Sequence, residues 1–89
     1  MNSAAPWTVL VDRDVPKQLR RIPKRDAERI SSAITDLAAN PYFGDVAKMQ
    51  GQEDVWRRRI GAYRIFYEVV VEEKVVYVYR VERRTSATY

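Results

Sequence analysis

Arginine side chains are the most chemically suggestive residues of this chain, and several lie close together in its last third. Arg57 and Arg59 precede the glycine at position 61, while Arg64 and Arg83 follow it. A guanidinium group stays protonated and donates hydrogen bonds in a planar fork that matches two oxygens of a phosphate. This spacing predicts a surface that binds phosphate groups and stabilises negative charge on them.

Composition narrows the chemistry further. The 89 residues include no histidine and no cysteine, which excludes a histidine-paired ribonuclease mechanism, a thiol nucleophile and a disulfide, and removes the commonest metal ligand. We therefore predict no metal site and no cofactor. Lys and Arg number 16 against 12 acidic residues, a net charge of +4, and this balance favours nucleic acid or an acidic protein as partner.

Hydrophobic periodicity predicts the elements that position the arginines. The pattern indicates an α+β fold, a single domain over residues 1–89, in which an antiparallel C-terminal meander packs on a helical hairpin. No stretch has the length of a membrane span, so none is expected. The predicted elements are a strand over 7–11, a short helix from Asp12 or Asp14 to Pro23, a helix over about 24–39, a connecting loop over 42–54, and strands over 55–60, 63–71 and 75–83.

The first predicted hairpin turn determines which residues of its two strands lie opposite each other. A two-residue turn at Gly61–Ala62 places Arg59 opposite Arg64 and Arg57 opposite Phe66. Side chains alternate between the two faces of a sheet. All four side chains are therefore predicted to project from the same face.

The second predicted turn extends this face to the last strand. A turn at Glu73–Lys74 places Arg64 opposite Arg83, which completes a row Arg59–Arg64–Arg83 across three strands. The other predicted pairs are Phe66 with Val81 and Glu68 with Tyr79. The face is then expected to carry Arg57, Arg59, Arg64 and Arg83, with Phe66, Glu68, Tyr77 and Tyr79 beside them.

Like charges that lie opposite each other destabilise a sheet, so a row of arginines across three strands is unexpected in a purely structural sheet. A phosphate bound between Arg59, Arg64 and Arg83 would cancel the repulsion. The alternative is a solvated face partly neutralised by Glu68 and Glu82. The aromatic neighbours could stack on RNA bases or could reflect β propensity alone. They are Phe66, Tyr77 and Tyr79.

Two segments resemble the RelE/ParE toxin superfamily, and the resemblance extends over nearly the whole chain. The segment 56–69, WRRRIGAYRIFYEV, has the family's basic strand, glycine turn and Tyr-Arg pair followed by apolar residues. The ending 81–89, VERRTSATY, is similar to the RelE branch, in which an arginine follows the last strand and a tyrosine lies six residues later.

The resemblance implies a toxin of a toxin–antitoxin pair. RelE-type toxins enter the ribosomal A site and cut mRNA there: the RNA 2′-OH attacks the adjacent phosphate, leaving a 2′,3′-cyclic phosphate and a 5′-OH. By this resemblance Arg64 stabilises the transition state, Arg83 assists the leaving group, and Tyr89 stacks on or orients the target nucleotide. The residues expected to bind RNA or its phosphates are Arg57, Arg59, Lys48, Phe66 and Tyr79.

The implied partners and location follow from the same resemblance. The implied partners are an acidic, RelB-like antitoxin, joined with the toxin in a heterotetramer, and mRNA on the ribosome. The expected location is therefore the cytoplasm. The chain departs from family members that place two lysines before the glycine turn, because those positions read Val55 and Arg57. Arginine is a poor general base. Lys48 is one candidate substitute, and Tyr89 is a second group that could transfer a proton.

Two alternatives to the nuclease remain at this point. One is a ParE-like inhibitor of DNA gyrase, which shares the fold and the Tyr-Arg segment. The pair Arg83 and Tyr89 argues against it. The other is a toxin relic without catalytic activity that binds only its antitoxin.

Overall fold

The computed structural model describes residues 6–51 and 54–84, and in them two helices pack against one face of a five-stranded sheet. No helix in this part of the chain is long and apolar enough to cross a membrane. The α+β fold predicted from the sequence is confirmed. The elements are β1 (Thr8–Val11), α1 (Asp14–Leu19), α2 (Lys24–Asp36), β2 (Val46–Lys48), β3 (Val55–Ile60), β4 (Tyr63–Val70), a 3-10 turn (Val71–Glu73) and β5 (Val75–Arg83).

The sheet has the order β1-β5-β4-β3-β2, so that β4 lies at its centre. β1 runs parallel to β5, and the other neighbours are antiparallel. Apolar residues recur at helical spacing in the helices and alternate along the strands, so each element has one apolar side. These apolar sides meet in one core between the two helices and one face of the sheet. The core comprises Val15, Ile30, Ala33, Ile34, Leu37, Tyr63, Ile65, Tyr67, Val69, Val76, Val78 and Val81.

The predicted helices and strands agree closely with the structure at most of their ends. α2 begins at Lys24 as predicted but ends at Asp36 rather than near Ala39. The amide of Ala38 donates to the carbonyl of Thr35 at 3.1 Å, and such i→i−3 bonds tighten the last turn of a helix. Before α1, the side chain of Asp12 accepts a hydrogen bond from the amide of Asp14 at 3.0 Å.

The segment predicted as a loop over 42–54 contains an edge strand, β2, that the sequence interpretation missed. Val46 pairs with Arg58, and Lys48 pairs with Trp56. A strand of three residues is too short to show the alternation of apolar and polar residues that identifies longer strands. This pairing determines which face Lys48 occupies.

The predicted register of the second hairpin is wrong. The turn is formed by the 3-10 segment Val71–Glu73 together with Lys74 rather than by Glu73–Lys74 alone, so Glu68 pairs with Tyr77 instead of Tyr79. A β-bulge at Phe66/Tyr67 then leaves Tyr79 without a partner and places Glu82, not Arg83, opposite Arg64. A bulge adds one residue to one strand and so exchanges the faces of every residue beyond it. The other two predicted pairs are replaced by Phe66 with Arg80 and Glu68 with Tyr77.

Tyr67 joins the sheet to the loop that follows α2. Its ring is fully buried, and its hydroxyl donates to the carbonyl of Pro41 at 2.5 Å. Burial raises the pKa of Tyr67 to about 12, and the charge of Arg58 opposes this rise. The neutral phenol is therefore the form that the fold stabilises.

Tyr67→Phe is expected to lower the free energy of unfolding by about 1–3 kcal/mol, because the buried carbonyl of Pro41 loses its donor. A folded-state pKa above the unfolded value means that the contribution of Tyr67 is complete below about pH 10 and is lost as the pH rises toward 12. Urea unfolding of both proteins across this range measures both effects. Equal stability at neutral pH, or an unchanged alkaline loss in the variant, would contradict this role.

Candidate functional site

The face of the sheet opposite the helices, termed the open face, carries a cluster of arginines. Arg59 pairs with Arg64 and Arg57 pairs with Phe66, as predicted. Alternation along β5 beyond the bulge places Arg80 and Glu82 on this face, and the guanidinium carbon of Arg80 lies 4.4 Å from the centre of the Phe66 ring.

Arg84 adds a further guanidinium next to the Gly61–Ala62 turn. Its amide donates to the carbonyl of Ala62 at 2.6 Å, which extends the ladder past the end of β5. It follows Glu82 by two residues, so alternation places its side chain on the open face. The sequence interpretation missed Arg84 and Arg80. A signal was present, since the buried valines at positions 76, 78 and 81 change their spacing from two to three at the bulge.

Several guanidinium nitrogens of this cluster are buried without a hydrogen-bond acceptor among residues 6–51 and 54–84. An unsatisfied buried donor costs free energy, and the cost is larger for a charged group. An anion bound between the side chains would supply the missing acceptors and cancel their repulsion. The atoms are Nη1 of Arg57 and Nε of Arg59, Arg64 and Arg84.

Carboxylates neutralise only part of this charge. Glu82 lies directly opposite Arg64, and its Oε2 is 3.6 Å from Nε of Arg80. Asp45 Oδ2 is 3.9 Å from Nε of Arg59, and both groups are partly exposed. Solvent-exposed pairs of this kind contribute little to stability. The cluster therefore keeps a net positive charge that can attract a polyanion.

Arg83 does not join this cluster, which corrects the predicted arginine row. It pairs with Tyr63, a core residue, and therefore lies on the face that the helices cover. There it lines a cavity of about 230 Å³ together with Gln18, Arg21, Ile22, Pro23, Tyr63, Val81 and Glu82. Tyr89, the third residue predicted to be catalytic, lies outside the described residues.

Lys48 is also separated from the arginines. Its partner Trp56 packs against the core, so Lys48 belongs to the helix-covered side of the sheet, whereas Arg57 faces the other way. The substitute base suggested by the sequence is therefore not beside Arg64.

The aromatic residues predicted to stack on bases differ in their accessibility. Phe66 is on the open face but only 2% exposed, with Arg80 above it, so it offers no free ring surface. Tyr79 is half-buried, and its ring lies 6.4 Å from that of Tyr77 at an angle of 24°. The hydroxyl of Tyr77 donates to Asp12 at 2.6 Å, which raises the pKa of Tyr77 and lowers that of Asp12.

Comparison with known proteins identifies relatives of this chain. The protein-family model that describes the ParE toxin of the type II toxin–antitoxin system parDE matches residues 6–87. A Methanocaldococcus jannaschii protein whose name presents it as a candidate toxin, RelE1, is 26% identical over 84 residues, which cover 91% of this chain and 93% of the relative.

Solved structures of RelE proteins have the same fold. A chain of the archaeal RelE–RelB complex from Pyrococcus horikoshii OT3 is 29% identical with a TM-score of 0.80, and the match covers 92% of this chain and 99% of that chain. The isolated E. coli RelE toxin is 20% identical with a TM-score of 0.77, over 91% of this chain and 87% of that one. At that lower identity the likeness concerns the fold alone.

Proposed function

The chain belongs to the ParE toxin family of type II toxin–antitoxin systems and is RelE-like, and from this premise we propose that it is an endonuclease that cuts mRNA in the ribosomal A site. Cleavage there stops translation, so the toxin acts in the cytoplasm. The observation that carries the proposal is the cluster of buried guanidinium donors around Arg64 that have no acceptor in the described part of the chain.

The reaction is attack of an RNA 2′-OH on the adjacent phosphate. Charge accumulates on the phosphate oxygens in the transition state, and guanidinium groups held in place by a rigid sheet stabilise it without reorganising. Arg64, on the central strand, binds these oxygens, while Arg57 and Arg59 hold neighbouring phosphates. Arg84 takes the second catalytic position that the sequence assigned to Arg83.

Tyrosines complete the proposed site. Tyr79 gives a partly exposed ring whose centre lies 6.4 Å from that of Phe66, and any RNA base can stack on such a ring. Tyr89 orients the target nucleotide or donates a proton to the leaving 5′-oxygen, as the sequence suggests.

An antitoxin partner belongs to the proposal. The Pyrococcus relative was crystallised as a RelE–RelB complex, and we propose a RelB-like, acidic antitoxin for this chain, in a heterotetramer of toxin and antitoxin. An acidic segment laid on the open face would pair with the same guanidinium groups that bind phosphate. Antitoxin binding and RNA binding are then mutually exclusive.

Primer extension on an mRNA in a translation extract tests the nuclease directly. The purified toxin is expected to produce new 5′ ends within codons, and adding its antitoxin is expected to abolish them. The product upstream of each cut should carry a 2′,3′-cyclic phosphate. Intact mRNA in extracts whose translation is nevertheless arrested would refute the endonuclease.

Inhibition of DNA gyrase is the second candidate, because the matching family model is that of ParE. The positive charge of the open face is not specific to RNA, since any polyanion or acidic protein surface could bind it. A supercoiling assay with purified gyrase separates the two candidates. Loss of supercoiling together with intact mRNA favours gyrase, and a healthy culture that expresses the toxin alone favours a relic.

A further inference from the structure

We propose that Glu82 is the general base that removes the proton from the attacking 2′-OH. This rests on the proposed function, which requires a general base: the chain has no histidine, the strand before the glycine turn has no lysine, and Lys48 lies on the other side of the sheet. A carboxylate in the arginine cluster supplies the missing group.

The pairing of β4 with β5 puts Glu82 where a base is needed. Glu82 and Arg64 are direct partners in the ladder, and side chains that oppose each other across two strands lie within about 5.5 Å at their Cβ atoms. The ion pair of Glu82 with Arg80, at 3.6 Å, shows that its carboxylate points to the open face, and the carboxylate side chain remains 41% exposed. A phosphate bound to Arg64 would therefore present its neighbouring ribose beside this carboxylate.

The other carboxylates near the open face are less suitable. Glu68 is four residues from Arg64 along β4, which corresponds to about 13 Å, and it lies opposite Tyr77 instead. Asp45 is 65% exposed in the loop before β2, at the far side of Arg59. Asp12 accepts the hydroxyl hydrogen bond of Tyr77. Of the described carboxylates, Glu82 alone adjoins Arg64.

The proton and electron balance of the step is simple. The 2′-oxygen transfers its proton to a carboxylate oxygen of Glu82 and forms a bond to phosphorus, while the bond from phosphorus to the 5′-oxygen breaks. The leaving oxygen takes a proton from Tyr89 or from water, and Glu82 returns its own proton to solvent. The charged groups around Glu82 are Arg64, Arg80 and Arg84 on the open face, and Arg21 and Arg83 in the cavity behind the strand.

Single-turnover cleavage of mRNA on programmed ribosomes, measured across pH, tests the assignment. Glu82→Gln keeps the size of the side chain and one accepting oxygen but cannot take up a proton, so it is expected to slow cleavage by about 10²-fold or more, the scale of a lost general base. The wild-type rate is expected to fall toward acidic pH as the base becomes protonated, and Glu82→Gln should remove this fall. Binding of a labelled oligouridylate should stay the same or tighten, because a negative charge is lost.

Two further variants separate this role from a structural one. Glu82→Asp should keep the acidic fall in rate and recover part of the activity, while Glu68→Gln, a matched change on the same face, should cleave at the wild-type rate. Two results would contradict the assignment of Glu82 as the general base. One is cleavage by Glu82→Gln at the wild-type rate, and the other is an equal loss of rate in Glu82→Gln and Glu82→Asp with an unchanged pH profile. If the wild type cuts no mRNA at all, the proposed function fails and the base fails with it.

Discussion

Arg64→Ala is expected to lower the rate of mRNA cleavage by about 10³- to 10⁵-fold, the range in which one arginine that stabilises a phosphoryl-transfer transition state contributes. Arg64 lies on the central strand, with Arg59 on one side and Glu82 on the other. Its Nε is buried and has no acceptor among the described residues. The guanidinium therefore has a donor for which residues 6–51 and 54–84 supply no acceptor oxygen.

The measurement is single-turnover cleavage on programmed ribosomes, together with growth of cells that express each variant without antitoxin. Arg64→Lys keeps the charge but loses the fork of donors, so it should recover only part of the rate. Arg25→Ala is the matched control, because Arg25 is exposed on α2 and away from the open face. The proposed role fails if Arg64→Ala arrests growth and cuts mRNA as fast as Arg25→Ala does.

The part of the open face that lies on β3 and β4 was predictable because the turn between these strands is defined by local sequence. Gly61 has a φ of +56°, which glycine adopts without strain, and the two-residue turn leaves one register for β3 and β4. The pairs Arg59 with Arg64 and Arg57 with Phe66 follow from it. Strong alternation in β4 likewise predicts which of its side chains reach the core.

The part of the open face that lies on β5 was not predictable from the position of its turn. The bulge at Tyr79 has no glycine to mark it, and its cause is tertiary: Val81 must reach the core, and its amide donates to the side chain of Gln18 on α1 at 2.8 Å. Core packing thus exchanged Arg83 for Arg80 and Arg84 on the open face. Burial of Phe66 beneath Arg80 has the same origin, since it depends on a partner that the predicted register did not contain.

This difference in register leads to the second prediction, in which two adjacent arginines are expected to behave differently. Arg84→Ala should slow cleavage by about 10²- to 10³-fold, the loss typical of one preorganised donor to a developing oxyanion. Arg83→Ala should have a much smaller effect, because Arg83 pairs with Tyr63 on the face that the helices cover. The two variants remove the same charge from neighbouring positions, so each is the control for the other.

Salt dependence gives the comparison a second, independent readout. A guanidinium that contacts phosphate releases counterions on binding, so Arg84→Ala should reduce the slope of RNA affinity against salt by about one, whereas Arg83→Ala should leave it close to that of the wild type. The backbone bond from Arg84 to Ala62 involves neither arginine side chain, so neither substitution removes it. If Arg83→Ala instead loses both cleavage and salt slope while Arg84→Ala keeps them, the catalytic arginine is Arg83 and the assignment to Arg84 is wrong.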